Sequence, residues 1–140
     1  MLDRDIVLAK VATIQRCLGR IAQVTGLDPA RLDDVNTEDI FVLNLQRAVQ
    51  AAIDLGAHVL AAEGLEMPAA LREIFSVLER HRLITPATSL QMRKMCGFRN
   101  IAVHGYQALS RPILKAILTA HLKDLEDFYA EVLRLLPAEG

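Results

Sequence analysis

The chain has 140 residues, of which 52% are hydrophobic, and a formal net charge of −1. This length accommodates one domain with a hydrophobic core, and the apolar fraction excludes a disordered chain. Few residues are aromatic and most apolar residues are Leu, Ala, Val or Ile, which favours helices over sheets. No uncharged run is long enough to span a membrane, and the charged start lacks the apolar region of a signal peptide, so we expect a cytoplasmic protein.

The first predicted helix extends from Leu2 to Thr25, where apolar residues recur at steps of three and four. Gly26 follows as the residue expected to adopt a left-handed conformation past the helix end. The polar linker at residues 27–35 contains a proline and predicts a loop or a short turn of helix.

The second predicted helix starts at a cap formed by Asn36 or Thr37, reaches about Glu63 and is followed by Gly64. It is apolar almost all round, which is typical of a helix at the centre of a domain or between subunits.

One polar stripe interrupts this second helix at steps of three and four residues: Arg47, Gln50, Asp54 and His58. The first interpretation is an exposed edge, supported by a contact between Asp54 and His58 one turn apart. The second is a polar seam at an interface or a wall of a functional site, in which Asp54 would support the site.

Met67-Pro68 and Thr85-Pro86 predict the starts of a third and a fourth helix, because proline is favoured in a first turn. The predicted inward residues are Leu71, Ile74, Phe75 and Leu78 in the third helix, and Leu90, Met92 or Met95, and Phe98 in the fourth. A long fifth helix is predicted from a cap at Ser110-Arg111-Pro112 to Leu136-Pro137. No segment alternates with a period of two, so residues 1–140 are predicted to form a single all-α domain, a five-helix antiparallel bundle.

Cys17 and Cys96 have no metal-ligand spacing, and we expect both to be buried thiols. The sequence contains no glycine-rich phosphate loop, no paired-carboxylate metal site and no serine nucleophile motif. We therefore predict neither a metal site nor a cofactor.

Positive charge is concentrated between Arg80 and Lys123, a segment that carries +8 without a single Asp or Glu and leaves −9 for the remainder. Such asymmetry predicts an anionic partner, and Arg93, Lys94 and Arg111 are candidates for RNA contacts. The alternative is a solvated basic face that lies against an acidic subunit.

A polar motif ends the helical pattern: Gly97-Phe98-Arg99-Asn100-Ile101-Ala102-Val103-His104-Gly105-Tyr106. Five steps of an ideal helix would separate Arg99 from His104 by about 140° around the axis, so we expect the backbone to unwind between them. Arginine can grip a phosphate, and histidine can transfer a proton near neutral pH. This pairing is suited to phosphodiester cleavage.

Metal-free RNA cleavage needs a base for the ribose 2′-hydroxyl, an acid for the leaving oxygen and a cation for the phosphoryl charge. His104 fits one proton role and Arg99 the cationic role, and a symmetric dimer would supply the second histidine. Asn100 would orient the histidine or bind the phosphate, and Tyr106 could stack on a base. Each also has a structural interpretation: a helix-end histidine, an arginine that binds terminal carbonyls, and a tyrosine ring that caps the core.

The spacing of Arg99, Asn100, His104 and Tyr106 resembles the motif of the HepT-like toxins, a branch of the HEPN (higher eukaryotes and prokaryotes nucleotide-binding) helical domains. Residues 45–58 are similar to that family's second helix, and residues 92–106 to the helix that leads into its motif. The resemblance covers essentially the whole chain.

The resemblance implies a homodimeric, metal-independent ribonuclease toxin with Arg99 and His104 as catalytic residues and Asn100 as the usual polar residue after the arginine. The substrate would be RNA, with tRNA among the possibilities. The partner would be an MntA-type nucleotidyltransferase antitoxin that transfers AMP to Tyr106 and so blocks the cleft. Gly105 stands where many relatives carry an acidic residue.

Two other functions fit the sequence. The chain could be a non-catalytic helical subunit that presents a substrate or nucleotide to a small nucleotidyltransferase. Its acid-free surface could also be purely a docking face for an acidic partner.

Overall fold

A computed structural model describes residues 1–105 and 111–138, with the side chains of residues 100–105 outside the description. The helices are α1 Arg4–Thr25, α2 Val35–Ala62, α3 Glu73–Arg80, α4 Pro86–Gly105, α5 Arg111–Ala120 and α6 Leu122–Leu133, and a 3-10 helix spans Pro29–Asp33. Within these ranges there is no strand, which confirms the all-α prediction. None of the described helices is both long and apolar enough to cross a membrane.

Short polar side chains and a glycine set the ends of the first two helices. Gly26 ends α1 with a φ of 59°, as predicted. The linker contains the predicted helical turn. The predicted cap of α2 is wrong, because Asp34 rather than Asn36 or Thr37 begins the helix: its carboxylate accepts bonds from the N–H and the hydroxyl of Thr37, both at 2.9 Å.

The central position predicted for α2 is confirmed, since it packs against α1, the 3-10 helix, α3, α4 and α6. Phe75 of α3 and Phe128 of α6, both fully buried, meet edge to face with ring centroids 5.2 Å apart. Gly56 of α2 allows α3 to approach closely, because a Cβ there would lie 2.9 Å from Ile74 Cγ2.

The start of α3 and one buried position of α4 differ from the prediction. α3 begins at Glu73 rather than at Met67-Pro68, and Leu71 is 46% exposed. The segment before Glu73 therefore buries little apolar surface, and burial does little to stabilise a helix there. In α4, Leu90 faces solvent, whereas Met92 and Met95 are both buried.

The predicted fifth helix is divided at His121 into α5 and α6, so the described ranges contain six α-helices rather than five. The His121 backbone has a φ of −121°. α5 packs against the 3-10 helix, whereas α6 packs against α1, α2 and α4. A straight helix could not direct its apolar stripe toward both sets of neighbours, so the break lets each half bury its own face.

Candidate active site

α4 carries the polar motif as far as Gly105, and side chains fix the N-terminal end of the helix. Thr85 Oγ1 accepts a hydrogen bond from the Thr88 N–H at 3.2 Å, next to Pro86 in the first turn. Glu131 of α6 accepts the Thr85 N–H at 2.7 Å, and the Thr88 hydroxyl donates to its other oxygen. The start of α4 is therefore anchored to α6.

α4 is a continuous helix from Pro86 to Gly105. The unwinding predicted between Arg99 and His104 is therefore wrong. Both residues belong to the last two turns of one helix, about 140° apart around its axis and about 7.5 Å apart along it. The side chains of Asn100 and His104 lie outside the description, and Tyr106 lies outside the described residues.

Arg99 is half-buried and lies on the same side of α4 as the buried Met95 and Cys96. Burial raises the pKa of the Cys96 thiol to about 11, against the opposing positive charges of Arg99 and Arg72. Burial also raises the pKa of Cys17. Both predicted buried thiols are confirmed, and both are protonated near neutral pH.

Another stripe of α4 faces solvent at steps of three and four residues: Ala87, Leu90, Lys94 and Gly97. The same register continues to positions 101 and 104 of the helix. Leu90 is 43% exposed, and no atom lies within 4 Å of a Cβ placed on Gly97. Beside the stripe is a largely apolar groove of about 440 Å³ that includes Phe98 and the exposed Ile113. Apolar and small residues at this spacing are typical of a helix–helix interface.

Two of the three candidate RNA contacts are engaged with carboxylates. Arg93 Nη2 lies 3.9 Å from Glu79 Oε1. Arg111 Nε lies 2.9 Å from Glu38 Oε2, and the carboxylate raises the pKa of that guanidinium. Lys94 is exposed beside the apolar groove. Carboxylates from other parts of the fold therefore neutralise some of the positive charge that the basic segment carries in the sequence.

Asp54 lies on α2, in a groove that α2 forms with α1. Gln50 Nε2 donates to Asp54 Oδ1 at 2.9 Å, and Lys10 Nζ lies 3.4 Å from the other carboxylate oxygen. His58 Nε2 instead accepts the Asp3 N–H at 3.1 Å. These contacts place the polar stripe along the border between α1 and α2.

Three cations of this groove, Lys10, Arg16 and Arg20 of α1, were not predicted from the sequence, and they share the groove with Arg47. Residues 6–27 contain these three cations and no Asp or Glu, which was a usable signal, but a total charge taken over all residues outside 80–123 hides it. Within the described part of the chain, no group of three or more His, Cys, Asp or Glu side chains could hold a metal ion.

Comparison with known proteins gives consistent matches. Residues 14–132 match the family model described as Ribonuclease HepT-like. The chain is 41% identical over 124 residues to the mRNA nuclease HepT of Shewanella oneidensis (strain MR-1). The matched region covers 89% of this chain and 93% of that protein.

Two solved structures are also similar, each 39% identical and covering 94% of this chain and 99% of the other. One is a toxin–antitoxin with AMP-PNP, with a TM-score of 0.89. The other is the tri-AMPylated HEPN toxin of Shewanella oneidensis in complex with MNT antitoxin, with a TM-score of 0.88.

Proposed function

Because this chain belongs to the ribonuclease HepT-like family, we propose that it is a toxin that cleaves RNA with Arg99 and His104 as its catalytic residues. Its relative from Shewanella oneidensis is an mRNA nuclease, and mRNA is the substrate class that we assign. The observation that carries the proposal is that Arg99 and His104 of the family's motif both lie on the continuous last turns of α4.

The proposed reaction uses imidazole groups for proton transfer and a guanidinium for charge. One His104 takes the proton of a ribose 2′-hydroxyl, whose oxygen attacks the adjacent phosphorus. A protonated imidazole then donates to the departing 5′-oxygen, which yields a 2′,3′-cyclic phosphate and a 5′-hydroxyl. Arg99 stabilises the charge on the phosphoryl oxygens. Each proton transfer is worth about 10²–10⁴ in rate, and Asn100 orients the imidazole or binds the phosphate.

Because each chain has one His104, two catalytic imidazoles require two copies of the chain. The solvent-facing stripe of α4 supports a symmetric dimer. Leu90 and Gly97 offer apolar contact and close approach on this stripe, and its register continues to position 104. A two-fold axis across this face would bring the two His104 positions toward one groove. Arg99 is half-buried and lies about 140° around the same helix from position 104, so its long side chain would have to extend around the helix to reach that groove.

The neutralising partner in this proposal is an MntA-type nucleotidyltransferase that transfers AMP to Tyr106. A similar solved structure is a tri-AMPylated toxin in complex with its MNT antitoxin. Tyr106 is two residues from His104 in the chain. Phosphates attached there would occupy the place of substrate phosphates and repel them.

Cleavage in EDTA tests the catalytic assignment. Total cellular RNA and defined mRNA are incubated with the wild-type protein, Arg99→Ala and His104→Ala. We expect each variant to lose at least about 100-fold in rate. Arg134→Ala and His81→Ala, which remove exposed residues of the same types elsewhere, should retain activity. Equal cleavage by all five proteins would contradict the assignment.

Mass spectrometry tests the proposed modification. With the partner nucleotidyltransferase and ATP, the chain should gain mass in AMP units, and Tyr106→Phe should not. Tyr129→Phe removes the other of the two tyrosines and should still be modified. An unchanged mass of the wild-type chain would end this part of the proposal.

A further inference from the structure

A second polar surface lies apart from the exposed stripe of α4, in the groove between α1 and α2, which has a volume of about 630 Å³. The ion pair of Lys10 with Asp54 and the hydrogen bond from Asp3 to His58 show that the two helices run antiparallel. From Lys10 to Arg20 the groove follows α1 for about 15 Å.

This groove carries a positive charge of +3, from four cations against one carboxylate: Lys10, Arg16, Arg20 and Arg47 against Asp54. Lys10 pairs with Asp54, and Arg20 donates to the neutral amide oxygen of Gln23 at 2.9 Å. Neither Arg16 nor Arg47 forms an ion pair with any part of the chain that the structure describes. Two guanidinium groups are therefore available to an anionic ligand.

Arg16 and Arg47 come from different helices and line the same groove. Burial raises the pKa of the Cys17 thiol, which lines the same groove, and the positive charges of Arg16 and Arg47 both offset part of that rise. Two guanidinium groups that line one groove can bind phosphate oxygens, with which arginine makes paired hydrogen bonds.

Gln50 adds a hydrogen-bond acceptor to this basic groove. Its Nε2 donates to Asp54, whereas its Oε1 is buried and accepts no hydrogen bond from the described residues. A buried acceptor without a donor is destabilising. Rotation of the Gln50 side chain toward the groove would let this oxygen accept a hydrogen bond from a ribose 2′-hydroxyl, with the adjacent phosphate bound by the arginines.

We propose that the α1/α2 groove binds the sugar-phosphate backbone of single-stranded RNA, with Arg16 and Arg47 binding its phosphates. This inference rests on the proposed ribonuclease function and adds a substrate-binding surface outside the catalytic motif. Cations along an extended groove, together with an acceptor for a hydroxyl, suit an RNA strand better than an acidic protein segment, which has no regular 2′-hydroxyl.

The test measures RNA affinity against salt concentration in a His104→Ala background, which leaves the RNA uncleaved. The probe is a fluorescein-labelled oligouridylate of about 12 nucleotides. Arg16→Gln/Arg47→Gln is compared with Arg31→Gln/Arg134→Gln, which removes the same charge from exposed positions outside the groove. The slope of log K against log salt concentration should fall by about 0.7 for each phosphate that the protein no longer neutralises, hence by about 1.4 for the groove variant.

Equal slopes for the groove variant, the control variant and the parent would overturn the inference. It would also be overturned if the groove variant keeps the parental slope but loses self-association or binding to the partner nucleotidyltransferase, because the groove is then a protein interface. Cleavage in EDTA by the chain with His104 intact tests the proposed function separately. Intact cleavage with an unchanged slope would remove the groove proposal and leave the ribonuclease assignment standing.

Discussion

Lys115 Nζ lies 2.8 Å from Asp33 Oδ1, and this ion pair joins α5 to the 3-10 helix. Arg111 and Glu38 make a second such link, between the start of α5 and the first turn of α2. Both cations come from the segment that contains no acidic residue. The fold therefore places carboxylates from the N-terminal part of the chain against that segment.

Removal of the Lys115 amine should change the response of stability to acid. Its hydrogen bond lowers the pKa of Asp33 from the ordinary value of 3.8. A lowered folded-state pKa contributes stability above the unfolded-state pKa, and this contribution is lost as pH falls through the folded-state value. Urea unfolding of Lys115→Met should therefore show a shallower loss of stability below about pH 4 than the wild type. Identical acid profiles would contradict this role.

Glu131→Gln should destabilise the chain by about 1.5 kcal/mol, because glutamine lacks the negative charge and one of the two acceptor oxygens that bind Thr85 and Thr88 at the start of α4. Glu126→Gln is the matched control, since Glu126 is exposed on the same helix, and its stability should change by less than about 0.5 kcal/mol. Chemical unfolding measures both. Equal effects would show that Glu131 contributes only a general surface charge.

Gly97→Arg should separate the proposed dimer and abolish cleavage in EDTA, because a long charged side chain would occupy the exposed stripe of α4. Gly19→Arg is the matched control: its Cβ position in α1 is equally open, with no atom within 4 Å. Light scattering should give at least about a tenfold weaker association for Gly97→Arg alone. A wild-type chain that is monomeric while it cleaves RNA would contradict the two-copy site.

Gly56→Ala should destabilise the chain by about 1 kcal/mol. The added Cβ would lie 2.9 Å from Ile74 Cγ2. The β-branched Ile74 side chain has few alternative rotamers in a packed core, so it cannot move far from the new methyl group. Overpacking of about 1–3 kcal/mol then exceeds the roughly 1 kcal/mol that alanine gains over glycine in a helix. Gly19→Ala, in open space, should instead be stabilising. A stabilised Gly56→Ala would show that α3 can shift freely.

Alkaline unfolding should depend on Cys96. Burial raises the pKa of its thiol from 9.0 to about 11. The unfolded chain therefore releases this proton at lower pH, and the stability present below pH 9 declines as pH rises toward 11. In Cys96→Ala the free energy of unfolding, measured in urea, should decline less steeply over that interval. Parallel profiles would mean that other groups control the alkaline transition.

Most helices were predictable because their signals are local. The apolar periodicity of α1, the glycine after it and the proline at the start of α4 involve residues within one or two turns of each other. The motif from Arg99 to Tyr106 was also readable, since its spacing resembles that of a known family. The geometry of the motif was not readable, because the angle of about 140° between the two helix positions does not show whether a second subunit completes the site.

The amino-acid sequence by itself determined that this protein is helical, which residues are apolar enough to form its core, and which family its motif matches. Only the tertiary structure decided that the last predicted helix divides at His121, that α4 continues to Gly105, and that α1 and α2 enclose a basic groove. The reason is physical: periodicity and capping act between neighbours in the chain. Helix breaks, ion pairs and grooves depend on burial and charge contributed by residues far apart in sequence.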